Sequence, residues 1–130
     1  MTEPKWLLPE AVIAVRQVLI AEHGGLPGIR DEGLLDSALS RPMNRFAHDP
    51  GVTLFDLAAA YACGISRNHP FVDGNKRIAF TVIGMFLRIN GWCFHPDRMD
   101  ALRTVMRLAA GEADEPETAR WIEANAQPVR

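Results

Sequence analysis

Nine consecutive residues hold most of the chemistry this chain can offer: His69-Pro70-Phe71-Val72-Asp73-Gly74-Asn75-Lys76-Arg77. They combine an imidazole, a carboxylate, an amide, a glycine and two adjacent cations. An apolar run from Ile78 to Ile89 follows at once. The order predicts a loop that feeds the N-terminus of a buried helix. A helix start presents unpaired N–H groups and partial positive charge, and so forms a ready anion site. Lys76 and Arg77 put full positive charges in that first turn, where the helix dipole disfavours them. A bound anion relieves the conflict, and phosphate is the obvious candidate.

Each residue of the loop has a chemical reading and a plainer one. His69 can serve as a general base for a hydroxyl, because imidazoles as a class exchange protons near neutral pH. A lone histidine is more often structural, but the phosphate-like loop that follows favours the base. Asp73 can bind Mg²⁺, a hard ion that is usually shared between one or two carboxylates and phosphate oxygens. Its plainer role is to cap the next helix. Gly74 permits close approach of the backbone to an oxyanion. Asn75 can donate its amide to a phosphate or cap the helix, and the sequence does not separate the two. Arg77 offers a bidentate fork and Lys76 a point charge. Pro70 and Phe71 shape the loop, with Phe71 anchored in the core. His23, His48 and His95 read as surface or helix-end residues. The spacing is not that of a Walker A loop, and no His-Glu-x-x-His pair is present. The residues alone lead to a Mg²⁺–nucleotide site with a histidine base, and leave phosphoryl and nucleotidyl transfer both open.

The elements that position this loop read as helices throughout. Pro9 opens the first, which carries Val12, Ile13, Val15, Val18, Leu19 and Ile20 and ends at Gly24-Gly25. Leu26-Pro27-Gly28-Ile29 forms a turn. Asp31 caps a second, shorter helix with Leu34, Leu35, Ala38 and Leu39, which Arg41-Pro42 should stop. From Pro42 to Gly51 no periodicity is visible, and an exposed loop or short hairpin is expected, placed as a flap over a groove. Thr53 and Asp56 resemble a capping box for a third helix, whose alanines at 58, 59, 60 and 62 would let a neighbour approach closely. The helix from Asn75 to about Ile89 is apolar on most sides and is expected at the centre of the bundle. Asn90-Gly91 stops it, and Trp92-Cys93-Phe94 form an apolar link. Asp97 caps a fifth helix, and Pro116 suits the first turn of a sixth. With no βαβ alternation, the chain reads as an all-α bundle of about six helices.

Composition sets the outer limits. The 130 residues fit one domain, 1–130, with 48% hydrophobic and 23% charged residues. A net charge of −2 gives no global field for nucleic acid or an anionic membrane, so the cations at 76 and 77 are a local feature. Cys63 and Cys93 read as buried free thiols. No stretch reaches a membrane span, and the first residues lack a signal-peptide layout, so a cytoplasmic protein is expected.

The loop His69 to Arg77 resembles the signature of the Fic/Doc superfamily in its death-on-curing (Doc) toxin branch. Gly24-Gly25-Leu26-Pro27-Gly28-Ile29 with Asp31 is similar to the Doc-type segment after the first helix, and Phe86-Leu87-Arg88-Ile89-Asn90-Gly91 to the end of the central helix. The resemblance implies a Fic-like helical fold and transfer of part of ATP to a protein hydroxyl. It implies His69 as the base and Asp73 as the Mg²⁺ ligand, with Asp73 and Arg77 counted as catalytic beside His69. Gly74, Asn75, Lys76 and Arg77 would hold phosphates. A flap at Met43, Asn44, Arg45 and Phe46 would dock the target segment. Two departures from the AMP-transferring pattern stand out. That pattern has Gly where this chain has Lys76, and a second Arg where it has Phe80. Doc-like proteins bind ATP reversed, so the implied reaction is phosphorylation, with a threonine of elongation factor Tu as the family's substrate. AMP transfer is the alternative, and a non-catalytic anion-binding module a second one. The Ser/Thr-x-x-x-Glu inhibitory motif is absent. The resemblance instead implies an antitoxin whose C-terminal segment lies in a groove of the toxin.

Overall fold

The computed structural model describes residues 1–130 and contains six helices: α1 (Pro9–His23), α2 (Glu32–His48), α3 (Leu54–Asn68), α4 (Asn75–Ile89), α5 (Arg98–Ala109) and α6 (Glu115–Ala124). Two three-residue strands, β1 (Trp92–Phe94) and β2 (Ala126–Pro128), pair antiparallel with Trp92 opposite Pro128 and Phe94 opposite Ala126. The all-α architecture is as expected. The strand pair is not in the 42–51 segment, however; it joins the two chain regions that flank α5 and α6.

Most caps follow the sequence. Asp31 accepts from the Leu34 N–H at 3.0 Å, and Asp97 from those of Met99 and Asp100. Thr53 and Asp56 form a full capping box, with bonds of 2.9 and 3.1 Å.

The helix at the centre is α3, not α4. Eleven of its fifteen residues are buried, against seven of fifteen in α4. Apolarity alone pointed to α4. What decides the position is residue size: the alanines and Gly64 of α3 allow α2, α4, α5 and α6 all to pack on it. At Gly64 a Cβ would lie 3.2 Å from the Ala38 Cα and 3.3 Å from its carbonyl oxygen.

That contact bears on a second correction. Arg41-Pro42 does not stop α2, which runs on to His48 with Pro42 buried inside it. A proline in a helix interior leaves the carbonyl four residues back without its N–H donor. Here that carbonyl belongs to Ala38 and packs against Gly64. The C-terminal half of α2 is then held from outside. Arg41 and Arg45 both pair with Glu115 at the start of α6, at 2.6 and 2.8 Å. Phe46 meets Trp6 edge-on at 5.8 Å. Met43, Asn44, Arg45 and Phe46 therefore lie on a helix and not on a loop.

The N-terminal segment closes over the core. The Leu7 N–H donates to the buried Tyr61 hydroxyl at 3.1 Å, and Trp6 stacks on Phe86. Both cysteines are free. Cys63 is buried as expected, and burial pushes its thiol up to about 11. Cys93 is only half-buried, because it sits on β1 beside the Arg88 guanidinium at 3.1 Å.

Candidate active site

The loop between α3 and α4 brings the predicted residues together. His69, Val72, Asp73, Gly74, Asn75, Lys76 and Arg77 line one open cavity of about 370 Å³. None of Met43, Asn44, Arg45 or Phe46 lines it.

His69 is the C-cap of α3 and is exposed. Its backbone is left-handed, with φ of 47°, the one residue other than glycine with positive φ. Such a conformation costs a β-carbon-bearing residue energy and persists only where the surroundings enforce it. Arg30 does so: its guanidinium donates to the carbonyls of His69 and Asn68, both at 2.7 Å.

Asp73 does not cap α4. The cap residue is Gly74, with φ of 79° and no side chain to offer. The first N–H groups of α4, at Asn75, Lys76 and Arg77, therefore have no side-chain cap, and the first turn holds no acidic residue. One Asp73 oxygen accepts from the Gly74 N–H at 2.9 Å and the other from the Leu26 N–H at 3.2 Å. The Leu26 bond, then the Gly74 bond, hold the carboxyl below its ordinary value, and Arg16 and Arg77 add to this. The group is a fixed carboxylate with a lone pair left on each oxygen.

No three His, Cys, Asp or Glu side chains cluster anywhere as a self-sufficient metal site. Asp73 is the one carboxylate in the cavity. This donor set fits Mg²⁺ shared with substrate phosphates, since that ion keeps few protein ligands.

Asn75 is committed elsewhere than the sequence left open. Its side chain is buried, accepting from the Phe71 N–H at 3.0 Å and donating to the Phe71 carbonyl at 2.9 Å. The amide clasps the loop, while the residue still lines the cavity. Lys76 and Arg77 are exposed, side by side in the first turn.

A segment the sequence marked only as a turn, and two arginines it did not single out, complete the site. The 24–31 turn lies along the loop as an improvised strand: Arg30 and Asp31 N–H groups donate to the Pro70 carbonyl, the Val72 N–H donates to the Gly28 carbonyl, and Ile29 bridges Phe71. Beneath it Arg16 of α1, only 2% exposed, donates to the Leu26 and Gly28 carbonyls at 3.3 Å and lies 4.8 Å over the Phe71 ring. Arg16 carried a sequence signal, a charge four residues after buried Val12 on an apolar face. Arg30 carried none.

A stretch covering residues 6–87 matches the Fic/DOC family. The chain belongs to the Fic/DOC family. It is 39% identical over 83 residues to protein kinase Doc of Escherichia phage P1, covering 64% of this chain and 66% of that protein. It is 46% identical over 69 residues to toxin Doc of Mycolicibacterium smegmatis, covering 52% of this chain and 53% of that protein. The matched stretches thus span just under two thirds of one relative and about half of the other. The whole of the loop from His69 to Arg77 falls inside the family match.

Proposed function

We propose that this Fic/DOC protein is a toxin that moves the terminal phosphoryl group of ATP to a protein hydroxyl and thereby arrests translation. The observation that carries the reading is the placement of positive charge. Lys76 and Arg77 stand at the uncapped start of α4, while position 80, one turn on, holds a phenylalanine packed 5.8 Å from Phe94. Phosphate is favoured at the first turn, and the next cation along α4 is Arg88 in its last turn, about three turns away. The phage relative's designation as a protein kinase points the same way.

In this mechanism Lys76, Arg77 and the N–H groups of residues 75–77 hold and neutralise the phosphates, and Gly74 lets them come close. Mg²⁺, when bound at Asp73, supplies further charge neutralisation on the phosphate oxygens. His69 takes the proton of the target hydroxyl as its oxygen bonds to the terminal phosphorus. The bond from that phosphorus to the bridging oxygen breaks, and ADP leaves with the electron pair. The target suggested by the family is a threonine of elongation factor Tu, which the exposed Met43 and Asn44 on α2 would help to dock. A cognate antitoxin, its C-terminal segment in a groove of the toxin, would hold the activity in check. The protein would act in the cytoplasm and without direct contact to nucleic acid.

Product analysis tests the reaction. Purified protein with Mg²⁺, ATP and a bacterial lysate should form ADP together with a phosphorylated protein. Release of pyrophosphate with an adenylylated protein would replace this reading with AMP transfer.

A further inference from the structure

Arg30 donates to one short run of backbone. Its Nε and Nη2 reach the carbonyls of His69 and Asn68, each at 2.7 Å, and its own N–H reaches the Pro70 carbonyl at 2.7 Å. Consecutive carbonyls from Asn68 to Pro70, at the end of α3, are thus all taken by one residue. The guanidinium pairs with no carboxylate, whereas those of Arg41, Arg45, Arg103 and Arg107 all do. The C-terminus of a helix is its negative pole and leaves carbonyls unpaired, so a fixed cation is favoured there. The planar fork also fixes the direction of two carbonyls at once, which the point charge of a lysine does not.

The His69 ring has no support of its own. The one histidine ring held by a hydrogen bond is that of His48, at 2.8 Å from the Asn44 carbonyl. A working histidine is commonly oriented through its second ring nitrogen, by a carbonyl or a carboxylate. Asp73, the carboxylate of the cavity, is engaged instead with the Leu26 and Gly74 N–H groups. The direction of the imidazole is therefore set from the backbone, by a left-handed conformation with φ of 47° and ψ of 57°. A residue with a β-carbon stays in that region only while it is held there. We propose that Arg30 is a positioning residue for the transfer reaction: its fork locks the backbone of His69 and so aims an otherwise unsupported imidazole at the attacking hydroxyl. The inference rests on the reading of His69 as the base.

The test is a double-mutant cycle of the intact chain, Arg30→Ala, His69→Ala and the doubly substituted chain, with Arg30→Lys beside them. Each is followed by transfer of label to protein in a bacterial lysate, from ATP labelled at the α- or the γ-phosphate. Arg30 is exposed, and alanine keeps the backbone N–H on Pro70, so the variant keeps its fold. Arg30→Ala should lower the rate at saturating ATP about 10–10²-fold, the scale of a small misplacement of reacting groups. The half-saturating ATP concentration should stay within about twofold. In the His69→Ala background the same change should lower the residual rate by less than about twofold, because the residue it positions is gone. Arg30→Lys should recover only part of the loss. An undiminished rate, an equal loss in both backgrounds, a loss carried by weaker ATP binding or full recovery with lysine would each overturn the proposal. NMR relaxation reads the backbone directly: the order parameter of the His69 amide should fall from about 0.85 to below about 0.6 in Arg30→Ala, and an unchanged value would overturn it too. The outcome is separable from the kinase reading. Label leaving the α-phosphate with the full Arg30 effect removes the kinase and keeps the positioning role; γ-label transfer indifferent to Arg30 does the reverse.

Discussion

At Asp73 the backbone geometry fits the proposed role of a Mg²⁺ ligand. Two N–H groups, from Leu26 and Gly74, keep its carboxyl below the ordinary value of 3.8. A depressed folded-state value means that the ionised form is complete above the ordinary value and is lost only as the pH falls through the lower one. Asp73→Asn should therefore weaken Mg²⁺–ATP by roughly tenfold or more, and the gap between variant and parent should persist as the pH falls to the ordinary value of 3.8, where an unheld aspartate is half protonated. A gap already closing at that pH in a binding titration would show that the carboxylate is not held in this way. Asn75 makes a different prediction. Its amide satisfies both polar groups of the Phe71 backbone, so Asn75→Ala strands them and should cost about 2 kcal/mol in a urea denaturation. The sequence made both residues conspicuous but could not divide their labour. Cap, ligand and clasp use the same side-chain atoms, and the choice depends on where Leu26 and Phe71 come to lie.

Among the elements, α3 carries the site from behind. Its C-terminus presents His69, and its small residues set how closely α2 can lie. Gly64→Ala would place a methyl group 3.2–3.4 Å from Ala38 backbone and Cβ atoms. That is backbone against backbone with little room to yield, so a loss of about 1–3 kcal/mol is expected in thermal unfolding; an unchanged or raised midpoint would contradict the close packing. Helix starts were legible because caps are local: Asp31, Thr53 with Asp56, and Asp97 act within three residues of themselves. The end of α2 was not legible. Pro42 is a local stop signal, and it is overruled by contacts with Trp6, Gly64 and Glu115, all distant in sequence. The three-residue strands β1 and β2 are too short to show any period, and their pairing joins residues some thirty positions apart.

For the whole molecule, Glu115 is the tie between the C-terminal helix and the rest of the bundle. Its carboxylate takes both Arg41 and Arg45, with its side chain 12% exposed. Glu115→Ala leaves two guanidiniums facing each other without their shared partner. It should destabilise the chain by about 1–3 kcal/mol, between the effects of exposed and buried pairs. The loss would be seen as a lower urea midpoint, and an unaltered midpoint would mean that α6 is held by its apolar face alone. Fold class was open to sequence reasoning, since helical periodicity and the lack of βαβ alternation are distributed along the chain. The layout around the loop was only half open. The segment from Gly24 to Asp31 was noticed, but not that it pairs with residues 70–72 and that Arg16 and Arg30 fasten it there.

The proposed function turns on His69 activating a protein hydroxyl toward the terminal phosphate of ATP. The most direct measurement is label transfer. The purified chain and its His69→Ala variant are incubated with Mg²⁺, a bacterial lysate and ATP labelled at either the α- or the γ-phosphate. A labelled protein is expected from γ-labelled ATP alone, with the rate reduced about 10²–10⁴-fold in His69→Ala while the variant keeps its fold, since His69 is exposed. Label arriving from the α-phosphate, or γ-label arriving undiminished in the variant, would contradict it.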